Sequence, residues 1–182
     1  MEKKISLQKL SKQTNLWTGE QGRIYQKDIA AALVTLSPGD TLVIDMKDVQ
    51  AINYSFVNNF FGRTILDLPS QYNNRFFIVE NLTEDNYSEL EVSLSTLGLA
   101  MIERKNDDLR LVGKVHPADS QTFDLIRKYT KPVTAIELKE KLGIALTAVN
   151  ERLSKLTEMG LVRRGRSVSQ AGREQYVYEA PK

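Results

Sequence analysis

Residues 41–68, TLVIDMKDVQAINYSFVNNFFGRTILDL, decide how the chain is read. Leu42-Val43-Ile44 is a continuous apolar run, which suits an inner strand of a parallel sheet with both faces covered. Asp45 breaks the run at its carboxyl end, and Lys47 and Asp48 make the exit polar. Asn53 is placed to cap a helix, because its side-chain oxygen can accept from the N–H of residue 55 or 56. Val57, Phe60, Phe61, Thr64 and Leu68 then recur at helical spacing and share one face. The stretch predicts strand, tight turn and helix, with Ser55 in the first helical turn and Pro69-Ser70 as the stop. In open α/β sheets, ligands and partners meet the carboxyl ends of the strands, so a site in this half of the chain is expected here.

Toward the amino terminus, Ile5, Leu7 and Leu10 are spaced by polar residues and predict an edge-like strand over 4–10. Trp17, in the polar segment 11–18, is expected to pack beneath a loop. Gly19-Glu20-Gln21-Gly22-Arg23 lacks the Gly-Lys-Ser/Thr ending of a phosphate loop and the third glycine of a dinucleotide turn, so it reads as a flexible turn. Tyr25, Ile29, Ala32, Leu33 and Leu36 define an amphipathic helix, closed by Ser37-Pro38-Gly39-Asp40.

Toward the carboxyl side, Tyr72-Asn73-Asn74 turns the chain into a buried strand over 76–79. Asn81 lies just past it, on the edge that also holds Asp45, and is expected to bond loop backbone. Leu90, Leu94, Leu97 and Met101 form a helical stripe, and 109–112 is a last short strand. Strands alternating with helices predict an α/β domain with a mostly parallel sheet, spanning residues 1–115.

These residues carry a resemblance. Asp45, the spacer ending in Val49, and Ile52-Asn53-Tyr54-Ser55-Phe56 before a helix resemble the STAS-like family, bacterial domains related to the anti-sigma-factor antagonists. The likeness covers roughly residues 20–105. In the antagonists the strand ends in Asp, and a later Asp-Ser-Ser-Gly segment starts a helix whose second Ser is phosphorylated by a partner kinase. That Ser falls on Ser55. Here Asn53 stands in place of the Asp, Tyr54 in place of the first Ser and Phe56 in place of the Gly. An aromatic residue at that last position, and Asn at the position of Asn81, are common in the STAS-like branch. The resemblance implies a partner surface of Asp45, Asn53, Ser55 and Asn81, with Ser55 the phosphoacceptor candidate. Its partner would be a histidine-kinase-type ATPase or another protein.

Composition narrows the classes. The 182 residues contain no cysteine, which excludes a disulfide framework and a thiolate zinc site. The single histidine, His116, reads as an exposed linker residue, and a His-rich metal site cannot be built around it. No matched acid, base and nucleophile set is evident, so neither enzyme chemistry nor a cofactor or metal is expected. A nucleotide-handling enzyme built on the turn at 19–22 is the weaker alternative class. The start MEKKISLQKL lacks an apolar signal core, and no run approaches membrane-spanning length, so a soluble cytoplasmic protein with no membrane partner is expected. Charge is split along the chain. Residues 1–115 hold 13 Lys and Arg against 15 Asp and Glu, while 116–182 hold 12 against 8. A basic carboxyl-terminal part fits a polyanion.

Val115-His116-Pro117-Ala118 reads as the boundary. Asp119 or Ser120 is then expected to cap a helix carrying Phe123, Ile126 and Tyr129. Thr134-Ala135-Ile136-Glu137 is a capping box that opens a short helix to Leu142, and Gly143 suits its left-handed end. A longer helix over 146–159 buries Val149, Leu153 and Leu156, although Ala145 offers no capping side chain. Gly160 ends it, and strands over 161–164 and 175–178 follow. Short helix, glycine turn, longer helix and basic hairpin make a winged helix-turn-helix.

Thr134, Leu142-Gly143-Ile144, Val149, Leu153, Leu156 and Met159-Gly160-Leu161-Val162 resemble bacterial winged-helix regulators of the MarR and ArsR kind. On the exposed face of the longer helix, Thr147, Asn150, Glu151, Ser154 and Lys155 are the base-reading candidates. Arg163, Arg164 and Arg166 surround Gly165, read as the tip of the wing and placed to reach phosphate or a minor groove.

The sequence therefore predicts a STAS-like α/β domain at 1–115 and a small winged helix-turn-helix (α+β) domain at 116–182. The expected function is a DNA-binding transcription regulator whose first domain receives a signal or partner, with double-stranded DNA as ligand and a homodimer as a further option. The alternative is an anti-sigma-antagonist-like switch that binds a histidine-kinase-type ATPase, with the winged helix docking protein.

Overall fold

The computed structural model describes residues 1–182 except Asp107 and Gln170. Its first part runs β1 (Glu2–Ser6), α1 (Leu7–Ser11), β2 (Asn15–Leu16), α2 (Gly19–Val34), β3 (Thr41–Asp45) and β4 (Ala51–Ile52). There follow α3 (Tyr54–Val57), a π turn (Asn58–Gly62), α4 (Arg63–Gln71), β5 (Phe76–Glu80), α5 (Glu84–Leu97), β6 (Ala100–Lys105) and β7 (Asp108–Gly113). The second part runs α6 (Pro117–Ile126), β8 (Val133–Thr134), α7 (Ala135–Leu142), α8 (Leu146–Glu158), β9 (Arg163–Val168) and β10 (Glu174–Glu179).

The main sheet has the order β1-β3-β5-β6-β7. Its first four strands are parallel, and β7 returns antiparallel to β6. β1 is an edge strand, as its short polar-rich pattern suggests. The apolar runs of β3 and β5 bury both faces. Leu42, Ile44, Phe77 and Val79 join the core beneath α2–α5, whereas Val43 and Ile78 point the other way. On the helical side Phe56 stacks on Phe60 at 5.1 Å between ring centroids, and Phe60 meets Phe61 edge-on at 4.8 Å.

Several local expectations are corrected. The chain leaves β1 at Ser6, whose hydroxyl caps α1 by accepting from Lys9 N at 3.3 Å, so Leu7 and Leu10 are helical. Trp17 is 53 % exposed, and its neighbour Leu16 is the buried anchor. Gly19 and Gly22 form the first turn of α2, which Thr18 and Gln21 close as a reciprocal capping box, so no flexible turn is present. Gly22 is required by packing: a Cβ there would lie 2.9 Å from Asn59 Cβ and 3.0 Å from the Phe56 carbonyl. Pro69-Ser70 does not stop α4, since Tyr72 N still donates to Leu68 O at 3.1 Å. Helix α5 ends at Gly98 (φ 72°), and Met101 belongs to a strand that its helical spacing concealed. Helix α6 begins at Pro117, one turn earlier than expected. His116 is its cap, with Nδ1 accepting from Ala118 N at 3.2 Å, and Tyr129 lies beyond its end.

The uncovered face of the sheet is closed by the second part of the chain. Val43, Ile78, Ala100, Ile102 and Leu109 form one continuous buried cluster with Phe123, Ile126, Leu138, Val149, Leu153, Leu156, Val162 and Tyr178. This second part therefore supplies the layer that a parallel sheet needs on its second face. Two close approaches accompany this core. The Arg163 guanidinium lies against Gly39, and a Cβ on Gly160 would meet Leu68 Cδ1 at 3.2 Å.

Candidate nucleic-acid interface

Helix α7 opens on the expected capping box. Thr134 Oγ1 accepts from Glu137 N at 3.2 Å, and Glu137 Oε2 accepts from Thr134 N at 2.7 Å. These bonds, from the backbone N–H first and then the hydroxyl, hold the Glu137 carboxyl below its usual range. Gly143 (φ 66°) turns the chain toward α8. Ala145 contributes no side-chain cap, and the first turn of α8 closes through Val149 N to Ala145 O at 3.1 Å.

Val149, Leu153 and Leu156 seat α8 in the core. Arg152 fixes its rotation by donating to Ala118 O and Thr122 Oγ1, each at 3.3 Å. The opposite face is left in solvent, and it carries Thr147, Asn150, Glu151, Ser154 and Lys155. Side-chain amides and amines on such a face match the donor and acceptor pattern of base edges and phosphates.

β8, β10 and β9 form a three-stranded antiparallel sheet. The period of two along β9 separates the three arginines. Arg164 and Arg166 are exposed and share one face, where their guanidinium carbons lie 4.7 and 5.9 Å from the centroid of Tyr176. Arg166 also approaches Glu174 at 3.8 Å, an exposed pair of little strength. Arg163 points the other way, pairs with Glu179 and packs on Gly39. It is thus part of the contact between the two halves of the chain, not of the arginine pair. Gly165 lies inside the strand. Beyond the strands Ser169 N donates to Arg173 O at 2.8 Å, and Arg173 is exposed.

Between α8 and β9 runs an open groove of about 420 Å³. Ser154, Thr157 and Glu158 line it from the helix, and Arg164, Arg166 and Tyr176 from the wing. Asn73 and Asn74, from the turn between α4 and β5, line it as well. Tyr176, Thr157, Glu158 and both asparagines are not among the residues that the sequence marks as candidates. The alternation of β10 could have paired Tyr176 with Arg166, but only the tertiary packing brings Asn73 and Asn74 here.

The other candidate residues lie at the carboxyl edge of the main sheet. Asn81, in a left-handed conformation (φ 58°), donates from Nδ2 to Asp45 Oδ1 at 2.7 Å. The expected bond to loop backbone is replaced by this side-chain pair, which Lys47 N joins at 2.9 Å. Asn53 Oδ1 caps α3 by accepting from Phe56 N at 3.0 Å. Ser55 is exposed in the first turn of α3, and its carbonyl accepts from Asn59 Nδ2 at 2.8 Å. Among the described residues no hydrogen bond joins Asp45 or Asn81 to Asn53 or Ser55. Also among the described residues, no group of three or more His, Cys, Asp or Glu could hold a metal, and no helix is long and apolar enough to cross a membrane.

Residues 131–163, from the approach to α7 through the start of β9, match the family model described as winged helix-turn-helix DNA-binding. Residues 131–163 thus form a winged helix-turn-helix. A solved structure from Methanosarcina mazei Go1, described as a possible transcriptional regulator, is similar at 17 % identity with a TM-score of 0.34. The match covers 37 % of this chain and 57 % of that one. None of the curated proteins matches the chain.

Proposed function

We propose that this protein is a DNA-binding transcription regulator in which the winged helix reads duplex DNA and the α/β part receives a signal or partner. The observation that carries the reading is the solvent face of α8, with Thr147, Asn150, Glu151, Ser154 and Lys155, set beside the exposed pair Arg164 and Arg166. The family match over 131–163 supports the same ligand. α8 supplies base contacts, the wing supplies phosphate contacts, and the basic balance of 116–182 favours approach to a polyanion.

For the α/β part we propose a STAS-like receiving domain over 1–115, centred on the carboxyl edge of the sheet. The bonded pair of Asp45 and Asn81, the Asn53 cap and the exposed Ser55 support that placement. Its surface meets a protein partner or carries a modification at Ser55. The decisive experiment selects bound sequences from a random duplex pool and compares affinity for the selected duplex with that for a scrambled one of equal length. Enrichment of one sequence, with tighter binding to it, is expected. Equal affinity for every duplex, or none, would remove the regulator reading.

A further inference from the structure

We infer that the turn between α4 and β5, carrying Asn73 and Asn74, is a second part of the DNA interface and contacts the phosphates of a strand lying in the groove between α8 and the wing. The inference rests on the DNA-binding reading and adds to it a contribution from outside the winged helix. Asn73 and Asn74 line the same groove as Ser154, Arg164 and Arg166. Asn73 is exposed, and among the described residues neither side-chain amide has a hydrogen-bond partner. The backbone beneath them is held: Gly39 N donates to Asn74 O at 2.6 Å, and Arg75 Nε donates to Leu36 O at 2.8 Å. The amides are therefore unpaired donors carried on a backbone that is itself held in place.

The occupant follows from charge and continuity. Two guanidiniums, Arg164 and Arg166, face one carboxylate, Glu158, across the groove lining, so the balance favours an anion. Through Ser154 the groove is continuous with the exposed face of α8, where bases would be read. Asparagine amides and serine hydroxyls are regular phosphate donors, and they fix register without reading sequence. Because the sheet and the winged helix share one buried cluster, the turn is already in place beside α8 before DNA arrives, with no ordering cost at that step.

The test measures binding of the full chain to a fluorescent duplex across a salt series, for Asn73→Asp, Asn73→Lys and Arg166→Ala. Asn73→Asp should weaken binding on the order of tenfold on every sequence. Asn73→Lys should strengthen it and steepen the log K against log salt slope by about one unit. Asn73→Lys keeps the test open if the carboxylate variant folds poorly, and melting temperatures report on that. Wild-type affinity and slope in both Asn73 variants, with Arg166→Ala weakened, would overturn the inference alone. Wild-type behaviour in Arg166→Ala as well would overturn the DNA-binding reading and this inference with it.

Discussion

Arg164 lies diagonally over Tyr176 across β9 and β10, its guanidinium carbon 4.7 Å from the ring centroid, while Arg166 occupies the position directly opposite that tyrosine. A cation stacked on an aromatic face keeps its N–H edge free, so its donors stay available to phosphate.

The wing should therefore act as a phosphate clamp. Arg164→Ala with Arg166→Ala is expected to weaken binding to all duplexes and to flatten the log K against log salt slope by about two units. Arg163→Ala is the internal control. It removes the pair with Glu179 and the contact on Gly39, so it should lower the melting temperature and leave the salt slope alone. Fluorescence anisotropy across a salt series checks both.

Asn150 projects from the solvent face of α8, one residue past the buried Val149. If it reads a base edge, Asn150→Ala should cost about 1–3 kcal/mol at a single base pair and little on scrambled DNA. A panel of single-base variants of the selected duplex distinguishes this from a uniform loss, which would mark Asn150 as a backbone contact.

The acid limb of stability should carry a signature of the α7 cap. Hydrogen bonds from Thr134 lower the Glu137 carboxyl in the folded chain, so its contribution is complete above the ordinary carboxylate range and is lost as pH falls through the folded value. The gap in melting temperature between wild type and Glu137→Gln should accordingly narrow on acidification. Calorimetry from neutral pH down to about pH 3 measures it.

The second part of the chain also covers one face of the sheet. A fragment of residues 1–115 leaves Val43, Ile78, Ala100, Ile102 and Leu109 without their apolar partners. It should self-associate and bind a hydrophobic dye more than the full chain does. Light scattering and dye fluorescence decide the point. A monomeric, dye-silent fragment would mean that the shared core is dispensable.

Much of this architecture is legible in local pattern. The apolar run before Asp45, the Asn53 cap, the Thr134 to Glu137 box and the Val149, Leu153, Leu156 face each follow from short-range rules, and each lies where those rules place it. The failures share another cause. Leu7, Leu10 and Met101 fit one period by chance, and tertiary packing assigned them another. Gly165 looked like a turn residue, yet it sits mid-strand opposite Val177. At the candidate interface the sequence singled out the α8 face, whereas the place of Asn73 and Asn74 in the groove lining depends on two segments roughly 80 residues apart meeting across a shared core. The full apolar content of β3 and β5 did announce that both faces would be covered, but not which part of the chain would cover the second.

That shared core also imposes an order on biosynthesis. The strands that carry Val43, Ile78 and Ile102 leave the ribosome before Phe123, Leu153 and Tyr178 exist. At about 5–20 residues per second, residues 116–182 take about 3–13 s to make. Over that interval the residues that cover the back of the sheet are not yet present. Only a chain whose second part is complete holds the residues that close its own sheet.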